Sequence, residues 1–477
     1  MKGLALIGPR GALTAGQVAG EMEQVRQMYE RMRPRVLALD MDNSPAWAIA
    51  DFAALDSAIP VVPLPRFFTP AQRRHALRDS GADWILSDRH DATEHPSSHS
   101  AHHESIEIAG HELRATCIVS TPRALPPGTA KITYTSGTTG EPKGVCLSAR
   151  AMEMVASSLV AACELHRDDV HLCALPLATL LENIGGLYAQ RLAGARTVVL
   201  PSERIGLRGM EAFDGGALLE AMRRYRVTTA ILVPQMLVGL VEALEEGNAP
   251  ISSLRFIAVG GAPLSVALLR RARACGLPVY EGYGLTECAS VVALNTPRAD
   301  RDGSVGRVLP HATVEIARDG ELRVAGATAL GYVGDREGTA EVWLTGDLGY
   351  IDDAGFVHLT GRRRNMLVTA FGRNVAPEWV ERELTAQRAI AQAAVFGEGK
   401  PWLSAVIVPR DPQHLAAAIA AANRALPHYA QVRHWIAADA AFSAGNGEAT
   451  SNGRLRREAL LARYGDRIDQ LYKMENA

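Results

Sequence analysis

From about residue 35 onward the chain alternates short aliphatic runs with amphipathic segments. "VLALD" (36–40) precedes a helical stretch from Ser44. "PVVPL" (60–64) precedes "TPAQRRHALRDSG", where Thr69 and Pro70 suit a helix cap and a first helical position. In "SARAMEMVASSLVAACEL" the apolar residues Met152, Val155, Leu159 and Ala162 recur at helical spacing. "TVVL" (197–200), "TTAILV" (228–233) and "RFIAVG" (255–260) predict buried strands, each followed by a helical stretch. Such alternation predicts an α/β fold in which helices cover the sheets. After about Gly303 the texture changes: "TVEIA", "ELRVAG" and "GFVHLTG" are separated by Asp-Gly and Asp-Asp-Ala-Gly turns, which suits antiparallel strands. A basic knot, "GRRRN" (361–365), leads into a smaller α+β segment. The pattern places a domain boundary at the knot, giving residues 1–361 and 362–477.

Composition narrows the classes. A chain of 477 residues, 47% hydrophobic and 21% charged, has apolar material for two or three folding units. Fifty basic and 52 acidic residues nearly balance, so there is no electrostatic footprint of nucleic-acid binding. The six cysteines, at 117, 146, 163, 173, 275 and 288, form no CxxC and no Cys/His set with zinc spacing, which suits a reduced, cytoplasmic compartment. "MKGLALIGPRG" is too short an apolar run for a signal-peptide core, and the long apolar stretch 46–65 is broken by Asp51, Asp56 and prolines, so no membrane span is expected. Histidines crowd 90–111 (His90, His95, His99, His102, His103, His111); without ligand spacing on a fixed scaffold they suit a solvated loop better than a metal tract.

Residues 132–145, "ITYTSGTTGEPKGV", carry the most chemistry. A Thr/Ser/Gly run after a β-type segment offers many backbone N–H groups and hydroxyls without bulk, a nest for polyphosphate oxygens, and a lysine adds a mobile point charge. That lysine, Lys143, is one of only five, with Lys2, Lys131, Lys400 and Lys473, in a chain whose other 45 basic residues are arginines (50 − 5). The P-loop of ordinary NTPases does not fit, because Glu141 and Pro142 separate Gly140 from Lys143 and Gly144 follows. On residue type alone, a flexible linker and a phosphate loop suit the stretch equally.

"YTSGTTGEPKGV" resembles the phosphate-loop signature of the adenylate-forming superfamily: acyl-CoA and aryl-CoA synthetases, luciferases and peptide-synthetase adenylation domains. Further matches follow in the family's order over nearly the whole chain. "YEGYGLTEC" (280–288) is similar to the YGxTE signature, "VGGAP" (259–263) to the facing wall of the adenine slot, "LTGDLGYID" (344–352) to the TGD signature and "TGRRRN" to GR-x-K-[DE]. "LPLATLLEN" (175–183) resembles LPLAHxFE of long-chain acyl-CoA synthetases, with Glu182 at the acid position and Thr179 in place of histidine. "LVTAFGRNVAPEWVERELT" (367–385) resembles the start of the family's mobile domain; Phe371 replaces one of two paired glycines, Gly372 is kept, and Arg364 stands at the hinge. "TSNGRLRREAL" (450–460) resembles the signature that carries the adenylation lysine, with Arg454 in its place.

The resemblance implies a large N-terminal domain of helix-flanked β-sheets and a small mobile α+β C-terminal domain. It implies that Thr135, Ser136, Gly137, Thr138, Thr139, Gly140 and Lys143 hold the β- and γ-phosphates of ATP. Gly261, Ala262, Pro263 and Tyr283 would enclose adenine, and Asp347 and Arg362 would bind the ribose hydroxyls. Thr286 and Glu287 would meet the α-phosphate and Mg²⁺, and Arg454 would bridge phosphate and substrate carboxylate, its planar fork replacing a point charge. A hydroxyl and one hard oxygen ligand suit a cation that keeps most of its waters, and a carboxylate with a guanidinium suits a diol. The implied reaction joins a small carboxylic acid to AMP and then to the thiol of CoA or of a carrier protein's phosphopantetheine. A fatty acid is favoured. An aryl acid of the hydroxybenzoate type is the alternative, and a degenerate protein that binds acyl groups or adenylates without turnover is the rival from another class.

Overall fold

The computed structural model describes residues 4–89, 103–135, 142–208, 212–247, 249–335, 341–443, 445–449 and 454–473. Among them, two large sheets build the N-terminal part. The first has nine strands in the order 307–308, 290–294, 279–285, 256–259, 229–232, 170–172, 196–198, 5–8 and 11–13. Its middle is parallel, as the βα alternation predicts, and antiparallel pairs close both ends. The second has eight strands in the order 331–332, 143–148, 129–135, 61–63, 37–40, 84–87, 111–117 and 103–108.

The helices between them follow from their ends and faces. Pro45–Asp56 starts where the Ser44 hydroxyl accepts from Trp47 N, and Pro70–Ser80 starts at a reciprocal Thr69–Gln72 capping box. Ala149–Ala162 is capped by Ser148 and buries Met152, Val155 and Leu159. Pro45–Asp56 is apolar nearly all round, because it and Ala149–Ala162 share one core with residues from both sheets, Leu6 and Phe256 on one side and Leu37, Leu39, Val145 and Leu147 on the other. "TVVL" departs from the expected strand-then-helix step. Its strand ends at Val198, and a 3-10 turn, Ser202–Ile205, intervenes before the helix Gly215–Arg224, the Ser202 N–H and hydroxyl both being taken by Asp42.

The segments "TVEIA", "ELRVAG" and "GFVHLTG" are antiparallel as expected: strands 312–316, 321–326, 342–351 and 357–362 form one sheet in that order. Beyond it a separate C-terminal domain holds a three-stranded sheet (390–396, 403–409, 432–437) with helices Pro377–Thr385, Leu415–Arg424 and Arg457–Lys473. Surface ion pairs tie it to the helix Pro234–Glu245: Arg410 to Glu242 at 2.6 Å, and Arg388 to Glu245. Of the histidine tract, His103 and His111 open the two strands of a hairpin, and His90, His95, His99 and His102 lie outside the described residues. No helix among the described residues is long and apolar enough to cross a membrane.

Candidate active site

The hydroxyl- and glycine-rich loop is bracketed by the hairpin strands Thr129–Thr135 and Lys143–Ser148, with Thr135 directly opposite Lys143. Ser136, Gly137, Thr138, Thr139 and Gly140 lie outside the described residues. Thr135 is half-buried at its strand end and Lys143 is exposed. The Lys143 ammonium lies 5.4 Å from the ring centre of Tyr332, a cation–π contact. The Tyr332 hydroxyl donates to Glu287 Oε1 at 3.2 Å; burial, then the nearby Glu287 charge, push its pKa up.

Glu287 and Thr286 sit on a 3-10 turn, Thr286–Cys288, at the end of the strand Val279–Leu285. Ala289 (φ 50°) and Ser290 (φ 100°) follow in left-handed conformations that L residues adopt at a cost. The chain doubles back so closely that a Cβ on Gly284 would lie 1.7 Å from the Ser290 carbonyl oxygen, so only glycine fits there. The strained turn thus presents a hydroxyl and a half-buried carboxylate at the mouth of the sheet.

The same strand carries Tyr283, buried against Cys288, Val292 and Leu322. Its hydroxyl donates to Asp347 Oδ2 at 2.7 Å, and Arg362 Nε meets Asp347 Oδ1 at 2.8 Å. Burial and then the Asp347 charge hold the Tyr283 pKa well above the usual phenol value. Asp347 and Arg362 face each other across neighbouring strands, so the ladder itself sets their spacing. Gly261, Ala262 and Pro263 are exposed just past the strand Phe256–Val259, whose parallel neighbour is the strand of Tyr283. This is the carboxyl edge of a parallel sheet, where α/β folds place ligands.

Arg454 comes from the C-terminal domain. Leu455 bridges to Ala449, Arg456 N donates to Glu448 O at 2.8 Å, and Arg457 forks onto Glu381 at 2.6 and 2.8 Å. That buried fork fixes where the terminal helix starts and so where Arg454 stands. Arg454 is exposed as a residue, yet the protein around its guanidinium lowers its pKa from the ordinary arginine value, with like-charged Arg362 adding to this and Asp347, Glu287 and Tyr283 opposing it. An arginine so lowered is still protonated. Four of the residues singled out from the sequence thus act on its charge. Arg364 and Phe371 are exposed, Phe371 at 76%.

The AMP-binding enzyme family model matches residues 10–339, and its C-terminal domain model matches residues 364–476. The chain belongs to the AMP-binding enzyme family. Within that family it is 28% identical to the long-chain-fatty-acid–CoA ligase FadD15 of Mycobacterium tuberculosis, over 90% of this chain and 86% of that protein. It is 31% identical to the 2-succinylbenzoate–CoA ligase of Bacillus pumilus, over 79% of this chain and 78% of that one. The solved structure of the o-succinylbenzoate CoA synthetase MenE of Bacillus subtilis, in complex with the acyl-adenylate intermediate OSB-AMP, superposes with a TM-score of 0.77 at 25% identity, covering 96% and 94% of the two chains. An α/β fold with a separate C-terminal domain and an AMP-forming acid–thiol ligase, both expected from the motifs, are borne out.

For an AMP-binding enzyme, the structure adds residues that the motifs did not single out. Tyr332 stands in a turn-rich stretch, "ALGYVGD", with no periodicity to mark it. Glu281 is buried beside Tyr283's strand position, accepts from Leu264 N at 3.2 Å, and has its pKa raised to about 7 by burial, with that bond and Arg382 opposing. Glu182 is an interior group. It is bonded to His171 Nε2 and Leu175 N at 2.9 and 2.8 Å and, with Cys173, forms a set of possible ligand atoms within 4.8 Å. Burial and then Glu182 push the Cys173 thiol pKa well up, and His171 Nδ1 meets Thr229 Oγ1 at 2.9 Å. These groups bond one another, and Glu182 braces the loop at Leu175.

Proposed function

We propose that the chain activates a fatty acid with ATP and transfers the acyl group to the thiol of CoA. The observation that carries the reading is the cluster at the carboxyl edge of the sheet, where Tyr283, on the strand that leads into Thr286 and Glu287, and Arg362 both meet Asp347, at 2.7 and 2.8 Å. We place the domain boundary between Gly361 and Arg362. In the first step a carboxylate oxygen forms a bond to the α-phosphorus while the bond to pyrophosphate breaks. In the second the thiol sulfur attacks the acyl carbonyl, the bond to AMP breaks, and the thiol proton leaves to solvent.

The residues present fit these ligands: an exposed ammonium at Lys143, hydroxyls at Thr135 and Thr286, and a half-buried carboxylate at Glu287 with lone pairs beyond the one Tyr332 occupies. Lys143, with Thr135 and the loop residues Ser136, Gly137, Thr138, Thr139 and Gly140, would hold the β- and γ-phosphates. Thr286 would meet the α-phosphate, Glu287 would hold Mg²⁺, and Arg454 would draw the negative carboxylate and phosphate together. Gly261, Ala262, Pro263 and Tyr283 would enclose adenine, and Asp347 and Arg362 the ribose diol. Bound Mg²⁺ supplies charge neutralisation on phosphate oxygens. Much of the work of these side chains is positioning and electrostatic, because charge shifts among oxygens without a proton being moved by the protein.

Resemblance over 90% of this chain to a long-chain-fatty-acid–CoA ligase supports the fatty acid, and resemblance to 2-succinylbenzoate ligases supports an aryl acid as the second reading. A carrier protein's phosphopantetheine would present the same thiol as CoA. The test is carboxylate-dependent pyrophosphate release from Mg-ATP across fatty acids of several lengths and a set of benzoates, followed by CoA thioester detection. A fatty acid responding most strongly is the expected result. A benzoate in first place selects the second reading, and silence across the panel in folded, ATP-binding protein sinks the ligase reading in favour of a non-catalytic binder.

A further inference from the structure

The segment Ala329–Asp335 stitches together the two walls of the cleft. On one side Leu330 N donates to Cys146 O at 2.8 Å and Val333 N to Gly144 O at 2.9 Å, while Gly331 and Tyr332 pair with Cys146 and Val145. On the other side Ala329 N donates to the Glu287 carbonyl at 2.8 Å. Tyr332 is held at both ends: Asp335 Oδ2 takes its N–H at 2.7 Å, and its ring meets Trp343 edge-on at 5.8 Å. From this fixed place the hydroxyl reaches Glu287 Oε1 at 3.2 Å and the ring lies beneath the Lys143 ammonium at 5.4 Å. The carboxylate has no hydrogen to give, so the hydroxyl donates. Lys143 belongs to the eight-stranded sheet, whereas Glu287 follows a strand of the nine-stranded one. A single side chain therefore touches both.

We propose that Tyr332 is a positioning residue for adenylation, holding the Glu287 carboxylate and the Lys143 ammonium in register across the seam between the two sheets. The inference rests on the reading of Glu287 as the Mg²⁺ ligand and Lys143 as a phosphate partner. A glutamate left to itself samples several rotamers, and ordering it on binding costs free energy that a pre-set side chain does not lose. The tyrosine fixes Oε1 and, among the described residues, leaves Oε2 open. A partner that orients a metal ligand in this way is worth about 10–100-fold in metal affinity. The ring does for Lys143 what a carboxylate would do less well: it attracts the ammonium without neutralising it.

The test uses the full chain saturated with α,β-methylene ATP, with Mn²⁺ binding followed by electron paramagnetic resonance. Tyr332→Phe keeps the ring and its Trp343 contact and removes only the donor. It is expected to raise the Mn²⁺ dissociation constant about tenfold. The thermal midpoint and the thiol step from supplied acyl-adenylate, which transfers no phosphoryl group, should not move. A merely structural tyrosine would instead lower the midpoint and slow both steps together. Tyr332→Leu removes the ring as well and should also weaken binding of the analogue itself by about threefold, through Lys143. Glu287→Gln should weaken Mn²⁺ at least as much as Tyr332→Phe, and the double variant no more than Glu287→Gln alone. Mn²⁺ binding that responds to Glu287→Gln but not to Tyr332→Phe overturns the inference and leaves the role of Glu287 standing. Binding that responds to neither overturns that role and the inference with it.

Discussion

Lys131 and Lys143 stand on the two strands of one hairpin, yet their surroundings are opposite. Lys131 is buried, its ammonium 2.8 and 3.0 Å from the Asp51 carboxylate oxygens and 3.0 Å from the Tyr188 hydroxyl, with Asn183 Oδ1 also in reach. Asn183 Nδ2 and the Tyr188 hydroxyl each donate to Asp51 Oδ2 at 3.0 Å. Burial lowers the Lys131 pKa and Asp51 pulls it back. Lys143 is exposed, and among the described residues it has an aromatic ring rather than a carboxylate for a neighbour. The protein matches the Lys131 ammonium with Asp51, Asn183 and Tyr188, so the charge organises packing between the helix Pro45–Asp56 and the segment 183–188. On the proposed reading, the Lys143 charge is matched by a ligand. Residue type alone does not separate the two roles; the completeness of the partner set does.

The largest effect should come from breaking the complete set. Lys131→Met leaves Asp51 buried without its cation and should destabilise the protein by about 3–5 kcal/mol in denaturant unfolding. Replacing both charges, Lys131→Met with Asp51→Leu, should recover much of that loss, because the penalty is that of an unpaired buried charge. A single variant as stable as wild type would mean that the network contributes nothing, and the comparison would collapse.

Lys143→Ala should do the reverse. Pyrophosphate release should fall by about 100-fold, the scale of losing one aimed charge partner in a transition state. Stability should stay within about 0.5 kcal/mol, as for an exposed side chain. A variant that unfolds with Lys131→Met's penalty would place Lys143 in the framework rather than the site.

Much of this was legible before the structure, for a physical reason. Contiguous signals survive in one dimension: the phosphate loop, YGLTE and TGD each keep their chemistry within a few residues, and the central strands 196–198, 229–232 and 256–259 of the nine-stranded sheet announce themselves as aliphatic runs. What the sequence did not disclose are contacts that close over distance. Asp51 meets Lys131 across 80 positions and Tyr332 meets Glu287 across 45, so neither has a spacing to read. Glu182 shows a different limit: its place in a motif says nothing of its burial, and His171 and Leu175 N hold it inside. The helix Ala15–Met32 and the hairpin before it also precede the point where the aliphatic pattern becomes regular.

Glu281 lies between the two extremes and gives the finest test. It is buried like Lys131, but among the described residues its partner set is thin: one backbone N–H from Leu264, with the Arg382 charge acting from the C-terminal domain. Burial therefore dominates, and the carboxyl titrates at about 7 in place of the ordinary 4.5. Below about pH 4.5 the folded and unfolded chains both hold the proton, and the group is neutral to stability. Between 4.5 and 7 the unfolded chain loses its proton while the folded chain keeps it, so rising pH favours unfolding; above 7 the penalty is constant. Glu281→Gln retains an oxygen for Leu264 N and has nothing to titrate. The variant's stability relative to wild type should therefore climb by about 3 kcal/mol across that window and then level off. A difference that stays flat with pH would mean that Arg382 and Leu264 already complete the carboxylate's partners. Glu281 would then belong with Lys131, as a fully matched interior charge.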